Sequence, residues 1–340
     1  PSPDIPLVCV TGGAPCPAAG SPQADAMVRG YLNATCVPSD PEFCWCEVDS
    51  LDVVCGFAVD SGACCYAADY TLTELCEGRP FTAEGRARLA PLARRADWRA
   101  AVHVACACLD RATRAALAEA WATSGRYEHA SVASFARVAL ELVALGAPRD
   151  LVLLAQHAAL DETDHAALAF GIASSLGEES VGPGRLDIDA STRTDVSSII
   201  EATVREGCIG ETISAVLALA ARDVAKDPAI VAALSRIAED ELRHAELAWR
   251  TVAWAIEADL PGAREAALAA FTARPEIDEP AGGPSIDPAV GRAFGVLSRE
   301  EKGNLSKKAL REIVEPSRAA LFAGQPTRSH PSVAPGTALR

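Results

Sequence analysis

Twice in this chain an acid and an imidazole stand three residues apart at core positions of an otherwise ordinary amphipathic helix. DETDHAALAF, residues 161–170, returns as DELRHAELAW, residues 240–249, with Asp, Glu, His, Ala, Leu, Ala and a closing aromatic at the same offsets. Around the first copy Leu151, Ala155, Ala158, Glu162, His165, Ala169, Ile172 and Leu176 alternate steps of four and three, the spacing of a buried seam. Ile230, Leu234, Ile237, Glu241, His244, Ala248, Thr251 and Ala255 repeat it around the second. Two more helical stretches carry one seam acid each: Trp121, Gly125, Glu128, Val132, Phe135, Ala139 and Leu142, then Ile200, Val204, Gly207, Glu211, Ala215 and Ala218. A single Glu-x-x-His is ordinarily a solvated helix face. Four carboxylates aimed at one core are different, because each costs several kcal/mol to bury unpaired and neighbours repel.

Something positive must therefore lie between them. Glu128, Glu162, Glu211 and Glu241 carry four negative charges, which two divalent cations balance, and mixed carboxylate and imidazole ligands suit iron, manganese or zinc better than soft-ligand metals. Height along the helices agrees. Glu128 and Glu162 average to position 145, and Glu211 with Glu241 to position 226, both in expected loops, as equal levels on antiparallel neighbours require. Glu206 is a rival for the third helix, about 7.5 Å from Glu211 along the axis at roughly 1.5 Å per residue. EHAS (128–131) and ETIS (211–214) both place Ser three residues after Glu, an internal echo that favours Glu211 and makes the chain a doubled helix pair.

The helix signals support this order. A helix is expected over 110–145, a second from LGAPRD (145–150) to about 176, a third over 195–225, and a fourth from Asp227-Pro228 to Leu260-Pro261. Their connections are short, long (177–194) and short, and one long crossover between the second and third helices is a known way to close a four-helix bundle. Residues 81–109 read as a connecting segment. Beyond Pro261, the capping box of Ser298 and Glu301 opens one helix to about residue 322, and residues 324–340 read as a flexible tail.

Residues 1–80 differ in kind, being rich in Pro, Gly, Asp and Cys. Nine of the 12 cysteines lie there: Cys9, Cys16, Cys36, Cys44, Cys46, Cys55, Cys64, Cys65 and Cys76. The spacings do not reproduce paired C-x2-C zinc modules and no His is near, so an irregular, disulfide-stapled module is expected, its pairing open. Cys106 and Cys108 are expected to join that set. Such density, and a start at Pro1, point to an extracytoplasmic protein whose export signal has been removed. No apolar run reaches the roughly 18 residues of a membrane span. A net charge of -15 without basic clusters argues against nucleic acid or an anionic membrane as partner.

One Glu from each of two helices and Glu-x-x-His from each of the other two resembles the ferritin-like di-iron carboxylate superfamily, whose members include rubrerythrins, bacterioferritins and the small subunits of ribonucleotide reductase. The resemblance covers about 110–260. It implies a mainly α chain with a ferritin-like four-helix bundle, terminal ligands Glu128 and Glu211, bridging ligands Glu162 and Glu241, and His165 and His244 each on one metal. Asp161 and Asp240 resemble the acids that hold ligand imidazoles in one tautomer. EGRPF (77–81), RADW (95–98) and EHASVASFARVALELVALGAP (128–148) also resemble uncharacterised ferritin-like proteins of high-GC bacteria with Cys-rich leaders, a likeness that brings no activity. The chain departs from rubrerythrin in having no C-x2-C pair near the helices, and from ferritin cages in its large additions at both ends.

The remaining candidates read as support: His129 and His157 flank the seam, Tyr127 is an amphipathic packing residue, and Cys208 is a small core residue one turn before Glu211. The expected function is a dinuclear centre, iron first and manganese or zinc as alternatives, reacting with dioxygen or peroxide. A protein of surface assemblies or homo-oligomers, whose metal only braces the helices, is the second expectation.

Overall fold

Asp110 caps the first long helix by accepting from the Thr113 backbone N–H at 2.9 Å, and Asp227 caps another by accepting from Ala229 and Ile230, with Pro228 at its first position. The computed structural model describes residues 7–11, 16–35, 44–58, 63–76, 78–83, 86–177, 179–188, 192–272 and 286–323. In chain order its elements are β1 (Leu7–Thr11), α1 (Pro22–Thr35), β2 (Cys44–Ala58), β3 (Ala63–Cys76), β4 (Thr82–Ala83), β5 (Arg86–Ala87), β6 (Leu92–Arg94), α2 (Arg111–Ala144), α3 (Arg149–Leu176), β7 (Val181–Pro183), α4 (Val196–Ala202), α5 (Thr212–Val224), α6 (Pro228–Glu257), α7 (Ala263–Thr272), α8 (Pro288–Ala293), α9 (Arg299–Ala309) and α10 (Glu315–Ala323). The chain is mainly helical. Helix α2 packs on α3, α5 on α6 and α3 on α6, around one core that draws Leu117, Ile172, Ile213 and Val252 from these four helices.

The third helical stretch is not continuous α-helix. Between α4 and α5, Thr203–Glu211 is π-helical. Its two ends are marked by Thr203, whose hydroxyl donates to the Ile199 carbonyl at 2.8 Å, and Thr212, which donates to Cys208 at 2.7 Å. Such bonds compete with the backbone ladder and help open it. Gly207 and Gly210 let the incoming segment 78–81 press on this widened turn: a Cβ on Gly210 would fall on the Gly78 carbonyl, and one on Gly207 on the Arg79 guanidinium and Ala248.

The C-terminal extension holds more than one helix, because α7 and α8 precede α9. It is part of the main core, burying Ala263, Ala267, Phe271, Phe294 and Val314 there. The capping box of Ser298 and Glu301 is present, and the expected helix runs as α9, a π-helical turn Leu310–Val314, and α10. The connecting segment 81–109 is a strap along α2 and α3, held by Arg126 Nε to the Ala90 carbonyl at 2.8 Å and by Ala100 N–H to the Ala167 carbonyl at 2.8 Å. Its strand β6 pairs antiparallel with β7, a strand inside the expected crossover loop.

The expectation of an irregular N-terminal module is corrected: β1, β3 and β2 form an antiparallel sheet in that order, with α1 and a separate small core of Val8, Val28, Leu32, Val53 and Tyr66. Long-range pairing, which has no local signal, makes the strands. Disulfides join Cys9 to Cys65 and Cys16 to Cys64. Cys36, the side chains of Cys44, Cys46, Cys55 and Cys76, and the tail 324–340 lie outside the described residues. Cys106 and Cys108, in contrast to expectation, are free thiols, because they sit on the strap, where Cys106 faces the Ser175 carbonyl. No described helix is long and apolar enough to cross a membrane.

Replacing Gly210 by Ala drives a methyl into backbone that cannot swing aside, so the variant is expected to lose about 1–3 kcal/mol of stability; thermal and denaturant unfolding beside the parent chain measure it.

Candidate metal centre

The seam positions bring the expected acids and imidazoles together. Glu162, His165, Glu211, Glu241 and His244 are all buried, and Glu128 is 17% exposed. Their donor atoms form two groups sharing one carboxylate: Glu128, Glu162, His165 and Glu241, and Glu211, Glu241 and His244, each within 4.8 Å. Both imidazoles turn Nδ1 inward. His165 Nδ1 lies 3.7 Å from Glu162, 3.7 Å from Glu241 and 3.8 Å from Glu128, and His244 Nδ1 lies 3.1 Å from Glu162 and 3.9 Å from Glu241. Glu162 and Glu241 thus each stand between both imidazoles.

The outward nitrogens are held crosswise. His165 Nε2, on α3, meets Asp240 of α6 at 2.9 Å, and His244 Nε2, on α6, meets Asp161 of α3 at 3.4 Å. Asp240 is gripped in turn by Arg243. A donor and its carboxylate therefore come from opposite copies of the repeat, which ties α3 to α6 and aims both Nδ1 atoms at the carboxylates.

One observation tests whether these residues suit a metal ion. His165 Nδ1, His244 Nδ1, Glu162 Oε2, Glu211 Oε1 and Glu241 Oε2 are buried without a hydrogen-bond partner, although native proteins satisfy most such atoms. Five unsatisfied lone-pair donors converging on one volume are a hard-cation and borderline-cation ligand set. The buried Glu and His groups can hold a metal ion.

Without metal, protons balance the charge. Burial and the neighbouring carboxylates hold Glu128 and Glu241 well above the usual carboxylate range, and burial raises Glu211 against its bond to Glu241. Burial acts on Glu162 too, but the facing His165 and His244 imidazoles outweigh it and lower the group. Burial would lower the imidazoles; Asp240 and Glu162 instead raise His165 to about 10, and Asp161 and Glu162 raise His244 to about 9.

No protein-family model, curated protein or solved structure matches this chain. The site therefore rests on its own geometry.

Residues beyond the expected set complete it. Arg79, 3% exposed, reaches from the 78–81 segment to Glu211 at 3.6 Å and lies over the Phe135 ring. Glu206 does not join the cluster. The π-helical turn sets it among Arg137 and Arg193, each at 3.7 Å, with Thr82 Oγ1 donating to it at 3.1 Å, while Glu141 takes Arg193 at 2.8 Å. This buried ionic group was not expected; its one local signal is the i,i+4 spacing of Arg137 and Glu141. His129 packs edge-on to Trp98, His157 is exposed, and Cys208 is buried in the apolar core, where burial raises its thiol. Tyr127 and Glu128 line a cavity of about 340 Å³ that opens onto the carboxylates.

Each raised group binds its proton more tightly folded than unfolded, so its stabilisation is complete below its ordinary value and is lost as pH rises through the folded one. For His165 and His244 that window runs from 6.5 to about 9–10, and Glu128, Glu211 and Glu241 act in the same sense from 4.5 upward. Metal-free protein is accordingly expected to melt progressively lower from pH 7 to pH 10; a flat calorimetric profile across that range contradicts the proton-balanced cluster.

Proposed function

We propose that the chain is an exported protein with a ferritin-like four-helix bundle, built from α2, α3, the α4–α5 stretch and α6, whose centre holds two metal ions and reacts with dioxygen or peroxide. The carrying observation is the placement of Glu162 and Glu241, each between two inward imidazole Nδ1 atoms with a carboxylate oxygen left unsatisfied. Two cations would match the four carboxylates in charge, with Glu128 and His165 on one side and Glu211 and His244 on the other. Iron is the proposed metal, with manganese and zinc as the alternatives to be separated by analysis. Bound iron would supply redox cycling between the ferrous and ferric states.

The rest belongs to the protein. Asp240 and Asp161 hold the imidazoles so that Nδ1 is aimed before metal arrives, and Glu128 and Glu241 release their protons to become ligands. Arg79 holds Glu211 and offsets part of the negative charge on that side. The apolar seams exclude bulk water elsewhere, so the cavity beside Glu128 is the route by which a small oxidant reaches the carboxylates. That route favours a reactive centre over a metal that only braces the helices. Two disulfides are consistent with an oxidising, extracytoplasmic compartment.

Elemental analysis of native protein is expected to find two irons per chain, with loss of both from the Glu162→Ala, Glu241→Ala double variant. Stopped-flow mixing of the reduced protein with oxygen and with peroxide should show reaction with at least one; zinc alone, or inert iron, would leave bracing as the role. Asp240→Asn, which keeps the shape and removes the charge behind His165, is expected to weaken metal binding roughly 10- to 100-fold in a competition titration.

A further inference from the structure

The cavity beside Glu128 is larger than a small oxidant needs. At about 340 Å³ it falls within the range of sites that hold an organic ligand. Its walls are layered. Along α2, read backwards, Glu128, Ser124 and Trp121 follow one another at one-turn steps, and from Glu211 forwards into α5, Ser214 and Leu217 do the same. All six line the cavity, so each of these two walls presents an acid, then a hydroxyl, then an apolar side chain. Leu234 and Ile237 of α6 join the apolar layer. The three helices meet at the same end: a Cβ added to Gly295 would touch both Trp121 and Leu234, and Ala218 clusters with Ile237.

Most polar groups around this space are already committed. Arg299, Lys302 and Tyr127 line it, and all three have partners. Trp121 donates its Nε1–H to the Phe294 carbonyl at 3.0 Å, which leaves the cavity only its ring. Glu162 and Glu241 face the imidazoles of the centre. The serines are the exception. Helical hydroxyls commonly donate to the carbonyl one turn back, as Thr212, Ser235 and Thr251 do in α5 and α6. Among the described residues, the hydroxyls of Ser124, Ser214 and Ser131, the last one turn beyond Glu128, make neither this bond nor another. Ser131 is 5% exposed, a depth at which polar groups are normally hydrogen-bonded.

What the cavity leaves unpartnered is therefore neutral: hydroxyls that both donate and accept, set between carboxylates and apolar side chains. An anion would meet the acids of the inner end. A cation has no carboxylate of its own, since every acid in the lining belongs to the centre. We propose that this cavity binds a small uncharged alcohol, its hydroxyl accepting from one of Ser124 and Ser214 and donating to the other, its apolar body among Trp121, Leu217 and Leu234. The oxygen-bearing end is thereby held one helical turn from Glu128 and Glu211. As a substrate of the dinuclear centre the alcohol rests on the functional reading above; as a bound ligand it does not.

Titration calorimetry with hexanol, and with hexanoate and hexylammonium as charged probes of equal tail, tests it on the native chain and on the chain stripped by a chelator. One hexanol per native chain is expected, with both charged probes at least roughly tenfold weaker. The Ser124→Ala, Ser214→Ala pair, which keeps the helices and removes the two hydroxyls, should lose roughly tenfold in hexanol affinity. Ala218→Trp, which fills the apolar layer, should abolish uptake, with circular dichroism checking that it folds. No hexanol uptake by the native chain, a charged probe bound there as tightly as hexanol, or uptake unchanged in the serine pair overturns the proposal. Hexanol binding to a chain that takes up no metal would retain the cavity and sink the metal reading; two metals without hexanol binding would do the reverse.

Discussion

The helical core is arranged around carboxylates that repel one another, with Glu162, Glu211 and Glu241 almost wholly withdrawn from solvent. Glu162 and Glu241 stand at its centre, and each is tolerable there because two imidazoles face it. The imidazoles are in turn held from behind by Asp240 and Asp161, so the chain Asp–His–Glu is written twice, in opposite directions, between α3 and α6. Removing one member leaves a buried charge unpaired, the costly case for ionic groups. The crossed pairs add a polar constraint on the register of these two helices to that of their apolar packing.

The same electrostatic demand explains features that look unrelated along the chain. Segment 78–81 reaches the core only because the π-helical turn and its glycines make room, and what it delivers is one cation, Arg79, against Glu211. The turn also rotates Glu206 out of the cluster and into a second balanced group with Arg137, Arg193 and Glu141. Two acids five residues apart on one helical stretch therefore serve different centres. The N-terminal sheet, with its own core and disulfides, is stabilised separately, and the segment following it carries the arginine.

The extension after α6 has the complementary role of completing a wall. Phe294 and Gly295 close against Trp121, Leu234 and Ile230 at that end of the core, beside a cavity that stays partly open. Its lining sets apolar side chains such as Trp121, Leu217 and Leu234 beside Ser124, Ser131, Ser214 and the carboxylates.

Helix positions, caps, seams and the ligand-type acids were legible in the amino-acid sequence, because helical periodicity and capping are local and because burying Glu162, His165, Glu241 and His244 on repeated seams has few physical solutions. The choice of Glu211 over Glu206 was favoured by the internal echo, yet the π-helical turn that realises it was not visible: it depends on backbone hydrogen bonds reorganised by a distant strap. Arg79, Arg193 and Glu141 read as ordinary charges, since pairing across more than 50 residues has no local period. The N-terminal strands were hidden for the same reason, their partners lying far along the chain. What the sequence by itself determined was the helical frame and the two acid–imidazole copies within it. Tertiary structure alone decided which carboxylate meets which imidazole, where the neutralising arginines fall, and that a cavity remains beside them, because these are matters of distance between elements that periodicity does not encode.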